Sequence, residues 1–367
     1  VTLRCKSPER GVAGVEWAVG PVPADMNLIV PGYGGIKLTS QSSTTAVSLE
    51  YPMFWEAQLV LVEGKGRGFY VWAEDTTGRY KRLAIKLKPE GWWIGFTTWN
   101  DAPFDGLDAC QSVKWRVNVY EGDWRVPARR YVEWARKNLP PVADEQPAWV
   151  KDVRCVVVAY NGCSVKTLDL PAERVDPKQT LVYIPNWRPD GYDRLYPNYD
   201  PAPEFRPFVE HAHALGFHVM PHLNYFGCDP DHPLYQQFKA HHIREAWGTH
   251  EQQWFVWDDP SNPANNRKLG YINPAYKPWR ALLLDRIRKL RDAYSVDAVY
   301  LDQTLNIYND HNGLCDGAIP AKVGNTPKWK FAELPRQACS RRRTEGILPD
   351  GAEVAPGLRC VPNLRGY

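Results

Sequence analysis

Asp302 closes the run Asp297-Ala-Val-Tyr-Leu-Asp302. A carboxylate that ends an apolar strand stands at a set depth in whatever cleft the strand opens onto. There it can attack an anomeric carbon or stabilise an oxocarbenium-like centre. Three loop segments hold further polar chemistry. Pro185-Asn-Trp-Arg-Pro-Asp-Gly-Tyr-Asp193 offers Trp187, Arg188, Tyr192 and Asp193. His222-Leu-Asn-Tyr-Phe-Gly-Cys-Asp229 offers His222, Asn224 and Tyr225. Gln303, Asn309 and Asp310 follow Asp302. Rings mixed with amides, carboxylates and an imidazole suit a polyhydroxylated ligand. The rings cover apolar sugar faces and the polar groups take hydroxyls. Each residue also has a plain structural reading: Asp302 satisfied by loop hydrogen bonds, His222 as a core histidine, Trp187 as a core ring.

Other chemistries find less support. The eight cysteines include no C-x-x-C pair, so no zinc signature is present. Asp310, Asn312 and Asp316 miss the spacing of a calcium loop. His211 and His213 are two apart on a helix and face different ways. No G-x-G-x-x-G follows a strand. Neither a metal nor a cofactor is expected. A net charge of +3 makes no case for nucleic acid. No apolar run reaches the roughly 18 residues of a membrane span. The expected partner is a carbohydrate, with no nucleic acid and no membrane. Sixteen Trp and 19 Tyr agree with sugar stacking, although an aromatic-rich core explains them equally. No leader is visible after Val1, and localisation stays open.

The elements that must position these residues fall into two patterns. Residues 1–122 alternate with period two, as in Tyr80 to Leu87, and turn often. They predict a β-sandwich, whose first strands lie before Val1 if the chain is a fragment. Residues 123–148 hold a helix with Trp124, Ala128, Tyr131 and Ala135 on one face, then a Pro-rich linker. Residues 149–319 alternate strand and helix, with strands at 153–159, 180–184, 217–223 and 297–302, and a partly helical stretch at 232–243. This predicts a (β/α)8 TIM-type barrel, of which about four units are present. Residues 320–367 are net basic and aperiodic, and an irregular tail is expected. The fold class is therefore multidomain β + α/β, with the barrel incomplete at its C-terminus.

A family resemblance rests on particular residues. Gly122-Asp-Trp124, opening a helix with Tyr131 and Trp134, is similar to the end of a mutarotase-like sandwich that precedes a glycosidase barrel. Gly191-Tyr-Asp-Arg-Leu-Tyr-Pro197, Leu215-Gly-Phe217, Met220-Pro-His-Leu-Asn-Tyr-Phe-Gly-Cys228, Tyr271-Ile-Asn-Pro-Ala275 and Leu301-Asp-Gln-Thr304 resemble an uncharacterised, mainly bacterial barrel family, a domain of unknown function. That family stands beside endo-α-N-acetylgalactosaminidases and α-galactosidase-type barrels. The resemblance covers about residues 60 to 317. It implies a retaining glycoside hydrolase with the strand-four aspartate, Asp302, as nucleophile. The family pattern continues to a Gly-Glu-Gly-type segment with a second carboxylate. Ser340-Arg-Arg-Arg-Thr-Glu-Gly346 stands there instead, with Glu345 as the nearest match and no apolar strand before it. The expectation is that Glu345 lies out of reach of Asp302 and that this chain alone shows no turnover. The competing readings are a carbohydrate-binding or scaffold protein without turnover, and a metal-dependent barrel hydrolase.

Overall fold

The structure is a computed structural model. It describes residues 1–139, 147–303 and 308–314, and the backbone of 359–361. Most of the Pro-rich linker, most of the basic tail and Glu345 lie outside the described residues.

The first part is antiparallel. Its strands are β1 Arg4–Lys6, β2 Gly14–Val22, β3 Asn27–Val30, β4 Ile36–Leu38, β5 Ala46–Tyr51, β6 Leu59–Glu63, β7 Arg67–Ala73, β8 Lys81–Lys88, β9 Gly91–Trp99, β10 Ala109–Gln111 and β11 Trp115–Glu121. One sheet runs β11-β7-β6-β3-β4 and another β2-β9-β8-β5, with β1-β10 as a separate pair. Alternation sends Leu83 and Ile85 of β8 and Val60 and Val62 of β6 into a single buried cluster. Trp55, Trp92, Phe96 and Trp115 fill that cluster, so the two sheets share one core. Helix α1, Arg125–Asn138, lays Tyr131 and Trp134 against Leu61, Tyr70 and Trp72 on the other face of the five-stranded sheet. Its first turn is closed by the Asp123 carboxylate, which accepts from Arg125 N at 2.8 Å.

After α2, Ala148–Asp152, the order changes to strand and helix: β12 Cys155–Val158, α3 Asp169–Arg174, β13 Thr180–Ile184, α4 Phe205–Leu215 and β14 His218–Asn224. Gly216 ends α4 at φ +99°, the left-handed geometry that glycine adopts without a Cβ clash. Next comes an excursion that periodicity does not reveal. β15 Gly227–Cys228, β16 Trp254–Trp257 and β17 Arg267–Tyr271 make a small antiparallel sheet, with the short α5, Tyr235–Phe238, between β15 and β16. Four helical residues and a single 3-10 turn occupy the stretch expected to be partly helical. Helix α6, Lys277–Tyr294, then leads to β18, Ala298–Asp302. β12, β13, β14 and β18 pair in parallel, and β19, Arg359–Val361, adds parallel to β18. Three residues of the expected irregular tail are thus a strand. Pairing to the free edge of β18 specifies it, and so short a segment carries no periodic signal. Among the described residues this sheet is open, not closed into a barrel.

The two faces of the parallel sheet differ. Val182, Ile184, Val219, Leu223, Val299 and Leu301 pack under α4 and α6. The other face is layered. Leu181, Met220 and Ala298 form its lowest layer, closed by Trp149 of α2. Tyr183, His222 and Tyr300 come next, then Asn224 and Asp302, which are register partners on β14 and β18. At the N-terminal end of the sheet, Asp297 ties the elements together. Its carboxylate accepts from His213 Nε2 of α4 at 2.9 Å and from Val219 N at 2.8 Å, and lies 3.5 Å from His218 Nδ1.

Burial alone would raise the Asp297 carboxyl. The bonds from His213, His218 and Val219 outweigh it and hold the group at about 2. Unfolded Asp titrates near 3.9, so the stabilisation is complete above about pH 4 and is lost as pH falls through about 2. The bond to Asp297 raises His213 in turn. Its share is full below the unfolded value of about 6.5 and fades above the raised folded value. Asp297→Ala is therefore expected to cost about 2–3 kcal/mol at neutral pH. Urea melts between pH 2 and 7 should show the variant with a flatter acid limb than the native chain.

Candidate functional site

Three ionisable groups meet above the His222 layer. The carboxylates of Asp193 and Asp302 and the His222 imidazole offer ligand atoms that all lie within 4.8 Å of one another. All three residues are buried, at 6, 4 and 0% exposure. His222 and Asp302 come from adjacent parallel strands, at the C-terminal end where loops leave the sheet. Asp193 arrives from the loop after β13.

Two polar atoms in this group lack partners among the described residues: Asp193 Oδ1 and His222 Nε2. They face each other at 3.7 Å, too far for a direct hydrogen bond. The opposite ring nitrogen, His222 Nδ1, is 2.7 Å from the Tyr183 hydroxyl. Burial pushes the Tyr183 ionisation far up, and neighbouring Tyr192, Tyr300, Asp302 and Asp193 add to it. Tyr183 therefore keeps its proton and can donate it to Nδ1. That leaves the Nε2 proton aimed at Asp193. Tyr192 packs on the imidazole with ring centroids 4.9 Å apart. Burial, then Asp193 and Asp302, raises its hydroxyl as well.

The loop that delivers Asp193 is held from within. Arg188 donates to the carbonyls of Arg194, Asn198 and Gly191 at 2.7–2.9 Å. Its guanidinium also lies over the Tyr196 ring at 4.3 Å. Asp193 and Leu195 have φ near +50°, a region that costs non-glycine residues energy and persists only where surroundings enforce it. Arg267 of β17 adds a bond to the Tyr192 carbonyl at 3.1 Å, and Asp229 accepts from Leu195 N at 2.8 Å.

Other expected ligand residues do different work. Trp187 is fully buried, donates to the His222 carbonyl at 2.7 Å and packs on Phe205. With its N–H engaged by the β14 backbone and its ring packed on the start of α4, Trp187 takes a core role. Arg188 spends its donors on its own loop. Tyr225 is buried at 3% among Phe226 and the α6 residue Trp279, which donates to its carbonyl. Asn224 accepts from Phe226 N and Gly227 N and donates to Gln303 Oε1 at 3.1 Å, joining the ends of β14 and β18. Asn309 and Asp310 are drawn away from this cluster. Asn309 accepts from Ala102 N and donates to the Asn100 carbonyl. Asp310 accepts from Arg244 N and Asn273 Nδ2. Such partners are too distant in sequence for any motif to reveal. Glu345 lies outside the described residues; among the described residues the Asp193 carboxylate stands within 4.8 Å of that of Asp302.

The His222 geometry has a spectroscopic consequence. Its neutral form should be the Nε2–H tautomer, visible in long-range proton–nitrogen NMR spectra of histidine-labelled protein. Tyr183→Phe should perturb that signal without unfolding the chain. An Nδ1–H tautomer in the native protein would contradict the assignment.

Comparison with known proteins follows the same outline. The family model described as Domain of unknown function (DUF6259) matches residues 111–313. No curated protein sequence matches the chain. Among solved structures, the fold is similar to the alpha-N-acetylgalactosaminidase NagBb from Bifidobacterium bifidum in complex with GalNAc. The TM-score is 0.63 at 12% identity, covering 95% of this chain and 61% of that one. It is also similar to the galactosidase domain of the alpha-galactosidase-sucrose kinase AgaSK (TM-score 0.52, 11% identity, 98% of this chain and 50% of that one). A third likeness is to the GH36 alpha-galactosidase AgaA from Geobacillus stearothermophilus (TM-score 0.51, 13% identity, 89% and 47%). The chain thus spans about 60% of the length of NagBb and about half that of the galactosidases. At these identities the likeness is one of fold. The family match covers more than half of the sequence, and the chain belongs to this family, the domain of unknown function DUF6259.

Proposed function

We propose that the chain is a glycoside hydrolase-like protein whose carbohydrate site is the Asp193–His222–Asp302 cluster. The observation that carries this reading is the orphaned pair, Asp193 Oδ1 and His222 Nε2, buried and 3.7 Å apart. A sugar hydroxyl set between them donates to the carboxylate and accepts from the imidazole, satisfying both. Asp302 lies within 4.8 Å of both. The hydroxyl so held therefore belongs to the sugar ring whose anomeric carbon meets Asp302. In this reading Asp302 attacks that carbon and forms a glycosyl-enzyme, and water later releases the sugar with retention. The half-buried Tyr192 takes the stacking role expected of Trp187. Gln303 and Asn224 shape the rim. The mechanism also needs a general acid, a further carboxyl; Glu345, the nearest match to the family pattern, is expected to lie out of reach of Asp302.

The architecture proposed with this function is a sandwich over 1–122, a helix and linker over 123–148, and the first half of a barrel over 149–319. Val156 and Val158 support the barrel. They share the inner face with Leu181 and Tyr183 through the β12–β13 register, yet are 44 and 49% exposed. An apolar sheet face left open in this way is what barrel closure covers. The galactose and N-acetylgalactosamine chemistry of the similar folds makes those sugars the first to try. The competing reading is carbohydrate binding without turnover.

The test pairs aryl-glycoside hydrolysis with monosaccharide titrations followed by NMR. This half-barrel alone is expected to show no turnover; any hydrolysis that the native chain does show should fall by a factor of about 1,000 or more in Asp302→Asn, as expected when a group acting in the transition state is lost. Asp193→Ala should weaken sugar binding by roughly 10- to 100-fold, the cost of orphaning a buried polar partner. Binding that survives Asp302→Asn, with no hydrolysis by the native chain, selects the binding protein. Neither binding nor hydrolysis across the panel overturns both readings.

A further inference from the structure

A second cluster of three potential ligands lies away from the sugar site. Asp105 is on the loop between β9 and β10, His250 on the loop before β16, and His311 on the segment after β18. Their ligand atoms also lie within 4.8 Å of one another. His311 Nε2 is 2.6 Å from Asp105 Oδ2, and His250 Nε2 is 3.8 Å from Asp105 Oδ1. The two imidazoles are stacked, with centroids 3.6 Å apart and planes at 4°.

From this geometry we infer that Asp105, His250 and His311 bind one divalent transition-metal ion of the zinc class. Both Nε2 atoms face the same carboxylate. If both rings carry a proton charge, they repel face to face and one carboxylate offsets only one of them. If both are neutral with Nε2 lone pairs forward, those lone pairs face the carboxylate. Without an ion, an Nε2 proton on His311 bonds Asp105 Oδ2 at 2.6 Å; a divalent cation takes the place of that proton and accepts all three donors at once. Outer contacts hold the ligands in place. His250 Nδ1 is 3.4 Å from the Glu245 carbonyl, an acceptor that favours a proton on Nδ1 and leaves Nε2 for a metal. His311 is 9% exposed, its backbone N donates to the Arg244 carbonyl at 3.0 Å, and its ring meets the edge of Phe104. Asp105 is 65% exposed at its side chain, so the ion has a route from solvent and room for a water ligand. Two imidazoles and one carboxylate with an open position are a common zinc donor set.

The three ligands come from both parts of the chain. Asp105 belongs to the antiparallel part, while His250 and His311 belong to the strand–helix part. The ion therefore clamps the seam between them, beside the bonds that Asn309 makes to Ala102 and Asn100. This inference departs from the expectation of no metal. Nothing in the sequence marks the site, because the ligands lie in three separate loops with no regular spacing.

The test is zinc titration of the chelator-treated full chain, read by competition with a chromophoric chelator and by thermal melting. The native chain should bind one equivalent and melt at a higher temperature with zinc present. His250→Ala changes a partly exposed side chain. It should keep the fold, judged by circular dichroism, and lose affinity by about a hundredfold or more, together with the melting shift. Asp193→Ala, in the other cluster, should retain both. Copper(II) loaded in place of zinc should show two nitrogen ligands by electron paramagnetic resonance, and one in His250→Ala. Absence of binding to the native chain overturns the inference. So does binding that survives His250→Ala or disappears with Asp193→Ala.

Discussion

The parallel register between β14 and β18 is the constraint on which the site depends. Asn224 pairs with Asp302 and His222 with Tyr300. Side chains alternate along each strand, so this register places every polar group on one face and Val219, Leu223, Val299 and Leu301 on the other. A slip of one residue would exchange the faces. Asp302 would then enter the layer under α4 and α6, where an unpaired carboxylate is far more costly than in its present setting. The difference between the faces therefore specifies the register, and the register sets the depth of Asp302. Asp297 fastens the far end by joining α4 and β14 to the start of β18. The Asp193–His222–Asp302 cluster and the Asp297 anchor thus stand at opposite ends of β18.

Arg188 shows how a charge is used inside such a frame. Its side chain is 1% exposed, and a buried guanidinium without partners would destabilise the fold. Three backbone carbonyls, the Asp190 carboxylate at 3.6 Å and the Tyr196 ring meet it instead. Those carbonyls belong to the loop that carries Asp193 at positive φ. Solvation of the cation and enforcement of the strained loop are therefore the same set of contacts. Engaged in this way, Arg188 has little left for a ligand, although a loop arginine among aromatics looks like a binding residue in sequence.

Thr180–Ile184 and the strand ending at Asp302 are legible as apolar runs within a strand–helix alternation, and α4 is legible from the 3.6-residue face of Phe205, Phe208, Val209 and Ala212 and from its glycine stop. The small sheet β15-β17-β16 is not. Its strands are two to five residues long, and Trp254-Phe-Val-Trp257 is apolar throughout, with no alternation to identify its faces. Within the site, Asp302 and His222 could be named because each lies on a readable strand. For Trp187 the sequence leaves the stacking and the core reading open, because burial is a property of the packed loop, whose composition looks polar. The opposition of Asp193 and His222 required the turn geometry of a loop whose conformation Arg188 enforces.

The seam between the two parts shows how residues 308–314, which form no helix or strand, are held in place. Asn309 bonds to the backbone of Asn100 and Ala102 in the antiparallel part. Its neighbour Asp310 accepts from Arg244 N, Asn312 N and Asn273 Nδ2. Burial pushes the Asp310 carboxyl up to about 7, against the pull of these same bonds. Asn312 in turn donates to the carbonyls of Ala240 and His242. One short segment thus contacts the loop after β9 and the excursion between β14 and α6 through polar bonds that go, apart from the one from Asn273, to backbone. Backbone groups cannot change rotamer, so such bonds set position more tightly than side-chain pairs do. The loop after β9 thereby helps to fix the position of residues 308–314, which lead away from the parallel sheet.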